Sequence, residues 1–201
     1  MAEVGIKTAY VYVNGKTIEL DHSYLGVAKA DIKGLQGNLT NVSGSNTIQY
    51  SYSEPAKPTV ALTINQAGMK LIADLTGLKQ SSSGGFYTPG DSLPSVGVAV
   101  VAPELGIDKN LVYAFPNCRA TYTQVSLSTN TDSKKNVVYD QINFNANNSP
   151  KINALYGIAE VQDGGESDVL TGLGWSAPQQ GQGDFKDSST DSSVTSPVVH
   201  S

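Results

Sequence analysis

The sequence predicts a mainly β fold, either a β-sandwich or a partly closed barrel, flanked by one α-helix. Three observations predict this fold class. The 201 residues include 20 glycines and ten tyrosines, short β-branched and aromatic segments recur between turn residues, and only one stretch has convincing helical periodicity. A hydrophobic fraction of 39% can form one substantial core. The longest unbroken apolar run, Val96 to Ala102, is far shorter than the ~20 residues of a membrane helix, so we expect no membrane partner.

A β-hairpin is predicted at the start of the chain. Tyr10 to Val13 and Lys16 to Leu20 are strand-like segments on either side of Asn14-Gly15. This dipeptide tolerates positive φ at both central positions of a type I′ turn, which joins antiparallel strands with the correct twist.

A second hairpin is predicted from Leu35 to Val42 and Thr47 to Tyr52, on either side of residues 43–46. It is unusually polar, and its few apolar residues are too sparse to anchor a core. Such a ribbon either stays in water or lies on another surface, so it is a candidate contact with a second molecule.

One helix is predicted over about residues 66–76, directly after the strand Pro58 to Ile64. Asn65 is the predicted N-cap, because its side-chain oxygen can accept the free amide protons of a first helical turn. Gly77 is the predicted left-handed residue that ends the helix.

Five further strands are predicted, at residues 95–102, 111–115, 121–128, 137–146 and 152–160. After Trp175 the composition falls to mostly Ser, Gln, Gly, Asp, Thr and Pro, which cannot bury enough apolar surface to offset the entropy of ordering. We therefore predict a β domain over residues 1–175 and a flexible, polar and acidic tail over residues 176–201.

The net charge of −5 is concentrated at the C-terminal end. Residues 1–159 hold eleven acids and twelve bases, whereas residues 160–201 hold seven acids and only Lys186 as a base. A neutral body without a large basic cluster argues against a protein that grips nucleic-acid phosphates. It does not exclude passive contact with DNA.

The residues for catalysis or metal binding are scarce. The two histidines are His22 and His200, and consecutive side chains in Asp21-His22-Ser23 point apart, so they cannot form a catalytic triad. The acidic stretch Asp163 to Asp168 is too short for an EF-hand loop and is interpreted as a solvated charged turn. The lone Cys118 is interpreted as a small buried or half-buried hydrophobe. We predict no enzyme activity, no metal and no cofactor.

The layout of the chain resembles the major tail proteins, or tail tube proteins, of long-tailed phages, particularly those of Gram-positive hosts. The resemblance covers roughly residues 1–160. It rests on the strand and helix of Pro58 to Gly77, on the segments LVYAFP and TYTQVSLST, and on VVYDQINFNA. The resemblance implies a structural virion protein of siphophages, assembled in the host cytoplasm, whose copies form hexameric rings that stack into the conduit for DNA ejection.

The resemblance also implies partners and surfaces. The partners are further copies of the chain, the tape measure, the tail initiator and terminator, and genomic DNA passing without specificity through the lumen. The polar hairpin becomes the candidate inter-subunit or inter-ring contact, through Leu35, Leu39, Val42, Ile48 and Tyr50. Replacing Leu39 and Ile48 with Asp is expected to leave a folded monomer that no longer polymerises.

A lumen that moves DNA quickly should be polar or acidic, because each Lys or Arg contact with phosphate adds affinity and friction. The candidate lumen residues are polar positions on two predicted strands, although an ordinary solvent-facing surface explains them equally well. They are Gln124, Ser126, Ser128, Gln141, Asn143 and Asn145. A negative lumen would also require Glu19, Asp140 and Glu160 to lie on its wall.

A carbohydrate-binding β-sandwich, either in a phage adsorption device or as a surface protein, is the alternative function. The ten tyrosines could form a platform for sugar rings, or they could be ordinary strand aromatics. The single tryptophan, Trp175, weakens the carbohydrate hypothesis.

Overall fold

The computed structural model describes residues 2–82, 84–123, 125, 138–181 and 183. It confirms a mainly β fold. The strands in chain order are β1 (Thr8–Val13), β2 (Lys16–Glu19), β3 (Val27–Lys33), β4 (Leu39–Gly44), β5 (Thr47–Ser53), β6 (Thr59–Ile64), β7 (Lys79–Gln80), β8 (Tyr87–Thr88), β9 (Val96–Pro103), β10 (Lys109–Thr121), β11 (Asp140–Ala146), β12 (Gly157–Gln162) and β13 (Pro178–Gln179). The helices are α1 (Gly68–Thr76) and α2 (Glu166–Gly172), and a 3-10 turn spans His22–Tyr24.

Nine strands form one large sheet in the order β13-β2-β1-β9-β10-β11-β6-β3, with β12 also paired to β10. All neighbours in it are antiparallel except β13 and β2, which are parallel. The described strands do not close into a barrel, and the fold is β-sandwich-like.

The long strand β10 joins the two halves of the sandwich. Its first part pairs with β9 and β12, whereas residues 118–121 pair with β11. The register shifts between Phe115 and Cys118, next to Pro116, which has no N–H to donate to a ladder. The sequence predicts two strands here, at 111–115 and 121–128. That prediction is wrong for the first of them, because one continuous strand runs through the proline to Thr121.

The main core lies between the two halves and beneath α1. It combines residues of β1 and β9 with residues of β6 and β11, and α1 adds Leu71, Ile72 and Leu75. Cys118 is fully buried in this core, and burial raises the pKa of its thiol to about 12. The interpretation of Cys118 as a buried hydrophobe is confirmed.

The predicted helix is confirmed as α1, and Gly77 ends it with φ of 74°. The predicted N-cap is wrong. The helix begins two residues later than a cap at Asn65 requires, with Ala67 at the cap position, and the Asn65 side chain donates to the Leu25 carbonyl instead. Asp140 of β11 accepts the Ala67 N–H at 3.0 Å, so a carboxylate from a neighbouring strand stabilises the helix start.

The second helix, α2, was not predicted. The interpretation of Asp163 to Asp168 as a solvated charged turn holds for the turn at residues 163–165, where Asp163 is exposed, but is wrong for Glu166, which begins α2 and has only 4% of its surface exposed. The helix covers the outer face of the β9–β10 half, where Leu170 and Trp175 pack against residues such as Val112. The last predicted strand also shifts, to Gly157–Gln162.

Residues just beyond Trp175 are paired to the sheet, which corrects the start of the predicted flexible tail. β13 runs beside β2, and Thr17 Oγ1 donates to the Ser176 carbonyl at 2.7 Å. The Gly181 N–H donates to Asp21 Oδ2 at 2.9 Å. Composition misses this segment because a sheet edge binds a neighbouring strand through its backbone. Residues 184–201 lie outside the described part of the chain.

Candidate assembly surfaces

The predicted second hairpin is present and stands apart from the large sheet. Strands β4 and β5 pair only with each other, and form a separate two-stranded sheet. Ser45 and Asn46 have φ of 51° and 64°, the pattern of a type I′ turn. We call Leu39–Ser53 the projecting hairpin.

The projecting hairpin has one face with a cluster of large apolar side chains and one face that is mostly polar. Tyr50 lies opposite Val42, and Tyr52 shares its face because it is two residues away on the same strand. Val42 and Tyr50 are 48% and 64% exposed, and the rings of Tyr50 and Tyr52 stack with centroids 6.3 Å apart. Three large side chains therefore form an apolar surface that covers nothing in the chain itself.

The other face of the hairpin is polar apart from Leu39 and Ile48. Leu39 lies opposite Ser53, and Asn41 opposite Ser51, whose hydroxyl donates to Asn41 Oδ1 at 2.7 Å. The predicted contact residues Leu39 and Ile48 are both exposed and lie on this face, because the bulge in β5 puts Ile48 opposite Ser43. Tyr52, which was not among the predicted contact residues, belongs with Tyr50 on the apolar face.

Leu35 does not belong to the hairpin surface. It precedes β4 and packs, partly buried, against the main core. Its carbonyl accepts the Tyr156 hydroxyl at 2.9 Å. Its position fits a residue that anchors the hairpin base to its own domain.

The structure places three of the six candidate lumen residues on one face of β11. Gln141, Asn143 and Asn145 point away from the core, while Ile142 and Phe144 between them are fully buried. Asn143 accepts from Gln141 at 3.3 Å and donates to Thr123 at 3.3 Å. Gln124, Ser126 and Ser128 lie outside the described residues.

Strand pairing extends this surface from β11 to three other strands. Asn145 of β11 lies between Arg119 of β10 and Thr59 of β6. Thr59 in turn lies opposite Lys33 of β3. We call the outward side of these strands the polar sheet face. Its described outward residues are Lys29, Asp31, Lys33, Thr59, Ala61, Thr63, Arg119, Thr121, Gln141, Asn143 and Asn145.

The polar sheet face carries three bases and one acid. Lys29 donates to Asp31 at 2.6 Å, and this hydrogen bond lowers the pKa of the Asp31 carboxyl. No described acid forms an ion pair with Arg119 or Lys33. The face is therefore polar and weakly cationic.

The acids that a negative wall would need lie elsewhere. Glu19 accepts from Thr8 on β1, Asp140 binds the start of α1, and Glu160 pairs with Lys109. Each of these carboxylates therefore binds a group within its own part of the fold.

A polar cluster joins α2 to the start of the chain. Lys7 contacts both Asp163 and Glu166, and Asn110 donates to the same two carboxylates at 2.9 and 2.7 Å. Burial alone would raise the pKa of Glu166, but hydrogen bonds from Lys7, the backbone and Asn110 outweigh it and lower that pKa. All three charged groups of the cluster pair within the chain, which indicates a structural role.

The aromatic residues do not form a sugar-binding platform in the described structure. The indole of Trp175 is buried and stacks on Tyr12, with centroids 5.3 Å apart and an interplanar angle of 7°. Tyr10 and Tyr24 are buried, and Tyr113, Tyr122 and Tyr156 pack against the core. Tyr50 and Tyr52 on the hairpin are exposed and stack on each other, and Tyr139 is exposed as well.

Residues 1–179 match the family model described as phage tail tube protein. The chain belongs to this family. The match covers the projecting hairpin, the polar sheet face and the paired C-terminal strand. No curated protein sequence matches the chain.

Membership of the tail tube family makes the chain a structural component of the phage tail and not an enzyme. The family implies assembly with further copies and with other tail proteins. Among the described residues, no group of three or more His, Cys, Asp or Glu side chains could hold a metal ion. None of the helices in the described ranges is long and apolar enough to cross a membrane.

Proposed function

We propose that the chain forms hexameric rings that stack into the tube of a siphophage tail, the conduit through which DNA is ejected. In this proposal the tube is assembled in the host cytoplasm, where the tail initiator, tape measure and terminator set its start and length. The observation that carries the proposal is the projecting hairpin, whose apolar face is solvent-exposed in a single copy.

The exposed apolar cluster of the hairpin consists of Val42, Tyr50 and Tyr52. An exposed apolar cluster on a ribbon without a core of its own is stabilised when a second surface removes it from water, at about 25 cal/mol per Å² of apolar area. A protein that acts as a single copy gains nothing from such a ribbon. A subunit that polymerises gains an interface.

In this proposal the polar sheet face lines the conduit, and it is polar, as expected, but weakly cationic rather than acidic. Asn, Gln and Thr side chains dominate it, and these groups hydrogen bond to water without attracting phosphate strongly. Arg119, Lys29 and Lys33 add a modest positive charge, so DNA transit along this face would depend on salt.

The first experiment is negative-stain electron microscopy of the purified protein over a wide concentration range. We expect six-fold rings and hollow tubes. The variant Tyr50→Asp should remain folded and fail to form tubes, because a carboxylate on the apolar face would have to be buried. The matched control is Leu39→Asp, which places the same charge on the opposite face of the same hairpin and should retain assembly. Tubes of normal length from Tyr50→Asp would reject the apolar face of the hairpin as an interface.

A second experiment tests which face lines the lumen. Asn143→Cys should react readily with a small maleimide but poorly with a maleimide attached to a large polymer once tubes have formed. Leu93→Cys, at an exposed position on a loop, is the control. Equal labelling of Asn143→Cys by the large reagent in tubes and in monomers would show that the polar sheet face is not enclosed.

A further inference from the structure

A cleft of about 190 Å³ lies between α1, the β1–β2 hairpin and the last described residues of the chain. Its apolar lining comes from Val13, Ile18, Ala67 and Leu71, together with the ring of Tyr24. A dry cavity of about 150 Å³ is large enough to bind benzene. The cleft therefore has room for one aromatic side chain.

Two lysines give the cleft a positive charge. Lys16 follows the β1–β2 turn and Lys70 lies on α1, and both are exposed. No described acid forms an ion pair with either lysine. Asp74 is the only acid among the described residues that line the cleft, so two bases face one acid. An apolar group flanked by negative charges would match this cleft.

The last described residues bring the chain to the wall of the cleft. Gly183 belongs to the cleft lining, and its N–H donates to Ser23 Oγ at 2.9 Å. A Cβ atom at Gly183 would collide with the Ser23 carbonyl, and one at Gly181 would collide with the ring of Tyr24. The two glycines therefore allow a close approach that fixes the position of Gly183 beside the cleft.

The sequence that follows Gly183 has the composition that the cleft requires. Phe185 is the only Phe, Tyr or Trp in residues 184–201, and a span of two residues reaches at most about 7 Å. Asp184 precedes Phe185, and Asp187 lies two residues after it. An aromatic side chain flanked by acids therefore begins within reach of an apolar cleft that carries two lysines.

We propose that the side chain of Phe185 binds in the cleft of its own chain, with its neighbouring acids close to Lys16 and Lys70. Its own chain supplies the ring because Gly183 is held at the cleft wall, so the two-residue connection gives Phe185 a far higher effective concentration than a second copy has. The bound ring removes the apolar lining of the cleft from water. This inference goes beyond the proposed function, since it concerns a single copy and requires no ring or tube.

The test is nuclear magnetic resonance of the full chain with isotope-labelled methyl groups on isoleucine and leucine, in solution for unassembled chains and in the solid state for tubes. An aromatic ring shifts the resonances of methyl groups packed against it. We therefore expect Phe185→Leu, which keeps an apolar side chain, to move the signals of Ile18 and Leu71. The matched control is Phe86→Leu, the same change at an exposed phenylalanine outside the cleft lining, which should leave both signals in place. Unchanged signals in Phe185→Leu would overturn the proposal.

A mixing experiment identifies the chain that supplies the ring. Labelled Phe185→Leu is combined with an excess of unlabelled wild type before any assembly. We expect the signals of Ile18 and Leu71 to stay at the positions of the variant, because each wild-type ring occupies its own cleft. A return to the wild-type positions would mean that a second copy supplies Phe185, which is incompatible with binding within one chain.

The lysines are tested by repeating the comparison in two charge-reversed backgrounds. In a Lys70→Glu chain, the shift that Phe185→Leu causes at Ile18 should be several times smaller, because the new carboxylate repels the acids beside Phe185. In a Lys57→Glu chain, where the exposed lysine lies outside the cleft lining, the shift should keep its full size. Lys16→Glu makes the same test from β2 if Lys70→Glu alters the circular dichroism spectrum.

Equal shifts in the Lys70→Glu and Lys57→Glu backgrounds would reject the pairing of these acids with the cleft. None of the readouts depends on assembly. Their failure would therefore remove the cleft as a binding site for Phe185 and leave the proposed tube unaffected.

Discussion

The indole of Trp175 lies directly against the backbone of Gly97 in the centre of the sheet. A Cβ atom built at Gly97 would stand 2.2 Å from Trp175 Cζ2, closer than side-chain atoms approach. On the same surface Trp175 stacks on Tyr12, the strand neighbour of Gly97. The glycine therefore makes room for the aromatic residue that follows α2.

We expect Gly97→Ala to destabilise the fold by about 1–3 kcal/mol, the usual cost of overpacking a well-filled core. Urea denaturation followed by tryptophan fluorescence measures this change, because Trp175 is the single tryptophan. The control is Gly172→Ala, where an added Cβ would meet no atom within 4 Å. A Gly97→Ala midpoint equal to that of the wild type would contradict the close packing.

Turn chemistry and alternation made much of the fold predictable. Asn14 and Gly15 have the positive φ values that their dipeptide predicts, and the buried Ile142 and Phe144 follow the period of two. Features that depend on distant partners were not predictable. Nothing near α1 in sequence indicates that Asp140 would bind its first turn, and α2 is short, bounded by glycines and begins with a buried acid.

The candidate surfaces were also predictable only where they depend on local sequence. The polarity of β4 and β5 predicted a ribbon without a core, but the bulge between Ile48 and Tyr50 places these two residues on opposite faces, which alternation alone does not predict. The amides of β11 were predicted from alternation. The cations beside them were not, because Arg119 and Lys33 reach that face only through strand order.

The charged cluster of Lys7, Asp163 and Glu166 predicts a dependence of stability on pH. We expect Glu166→Gln to lower the free energy of unfolding at pH 7 by about 1.5–3 kcal/mol, the range for hydrogen bonds to charged groups. The acidic control is Asp168→Asn, an exposed position on the same helix, which should change stability much less.

The sign of the pH effect follows from the direction of the shifts. The fold lowers the pKa of Glu166 from 4.5 and that of Asp163 from 3.8. The two carboxylates therefore stabilise the fold fully at pH values above 4.5 and 3.8, and this stabilisation is lost as pH falls through their lowered pKa values. Thermal unfolding of wild type and Glu166→Gln between pH 3 and 7 should therefore give curves that converge at the acidic end. A constant difference down to pH 3 would contradict this account.

The carboxylate of Asp140 predicts a coupled effect on α1 and on Tyr122. Oδ2 accepts the Ala67 N–H and Oδ1 accepts the Tyr122 hydroxyl, each at 3.0 Å. Asp140→Ala should cost about 1–2 kcal/mol, similar to the loss of a helix N-cap, and should speed hydrogen exchange in the first turn of α1.

Tyr122 supplies the second readout of the same variant. Burial, the hydrogen bond and the charge of Asp140 raise the pKa of Tyr122 to about 12. Without the carboxylate, ultraviolet titration should show Tyr122 ionising at lower pH. Tyr122→Phe leaves the hydrogen bond between Asp140 and the Ala67 N–H in place, so hydrogen exchange in the first turn of α1 should be unchanged. Faster exchange there in Tyr122→Phe would assign the effect to the tyrosine.

The last prediction concerns the strand after Trp175. Thr17 is fully buried, its hydroxyl donates to the Ser176 carbonyl, and its N–H donates to Ser176 Oγ at 2.8 Å. Thr17→Val keeps the shape but removes the hydroxyl donor, which leaves the Ser176 carbonyl with one hydrogen bond fewer at a partly buried site. We expect β13 to open more often, with about tenfold faster hydrogen exchange over residues 176–181 for a loss of about 1.4 kcal/mol.

The control is Thr8→Val, on the neighbouring strand, which removes a hydroxyl bonded to Glu19 and does not touch Ser176. Exchange over residues 176–181 should then match the wild type, while β1 and β2 stay protected in both variants. Equal exchange in Thr17→Val and wild type would mean that the backbone pairing of β13 holds the segment without this threonine. Faster exchange throughout the sheet would instead mean that Thr17 supports the whole domain and not the C-terminal strand in particular.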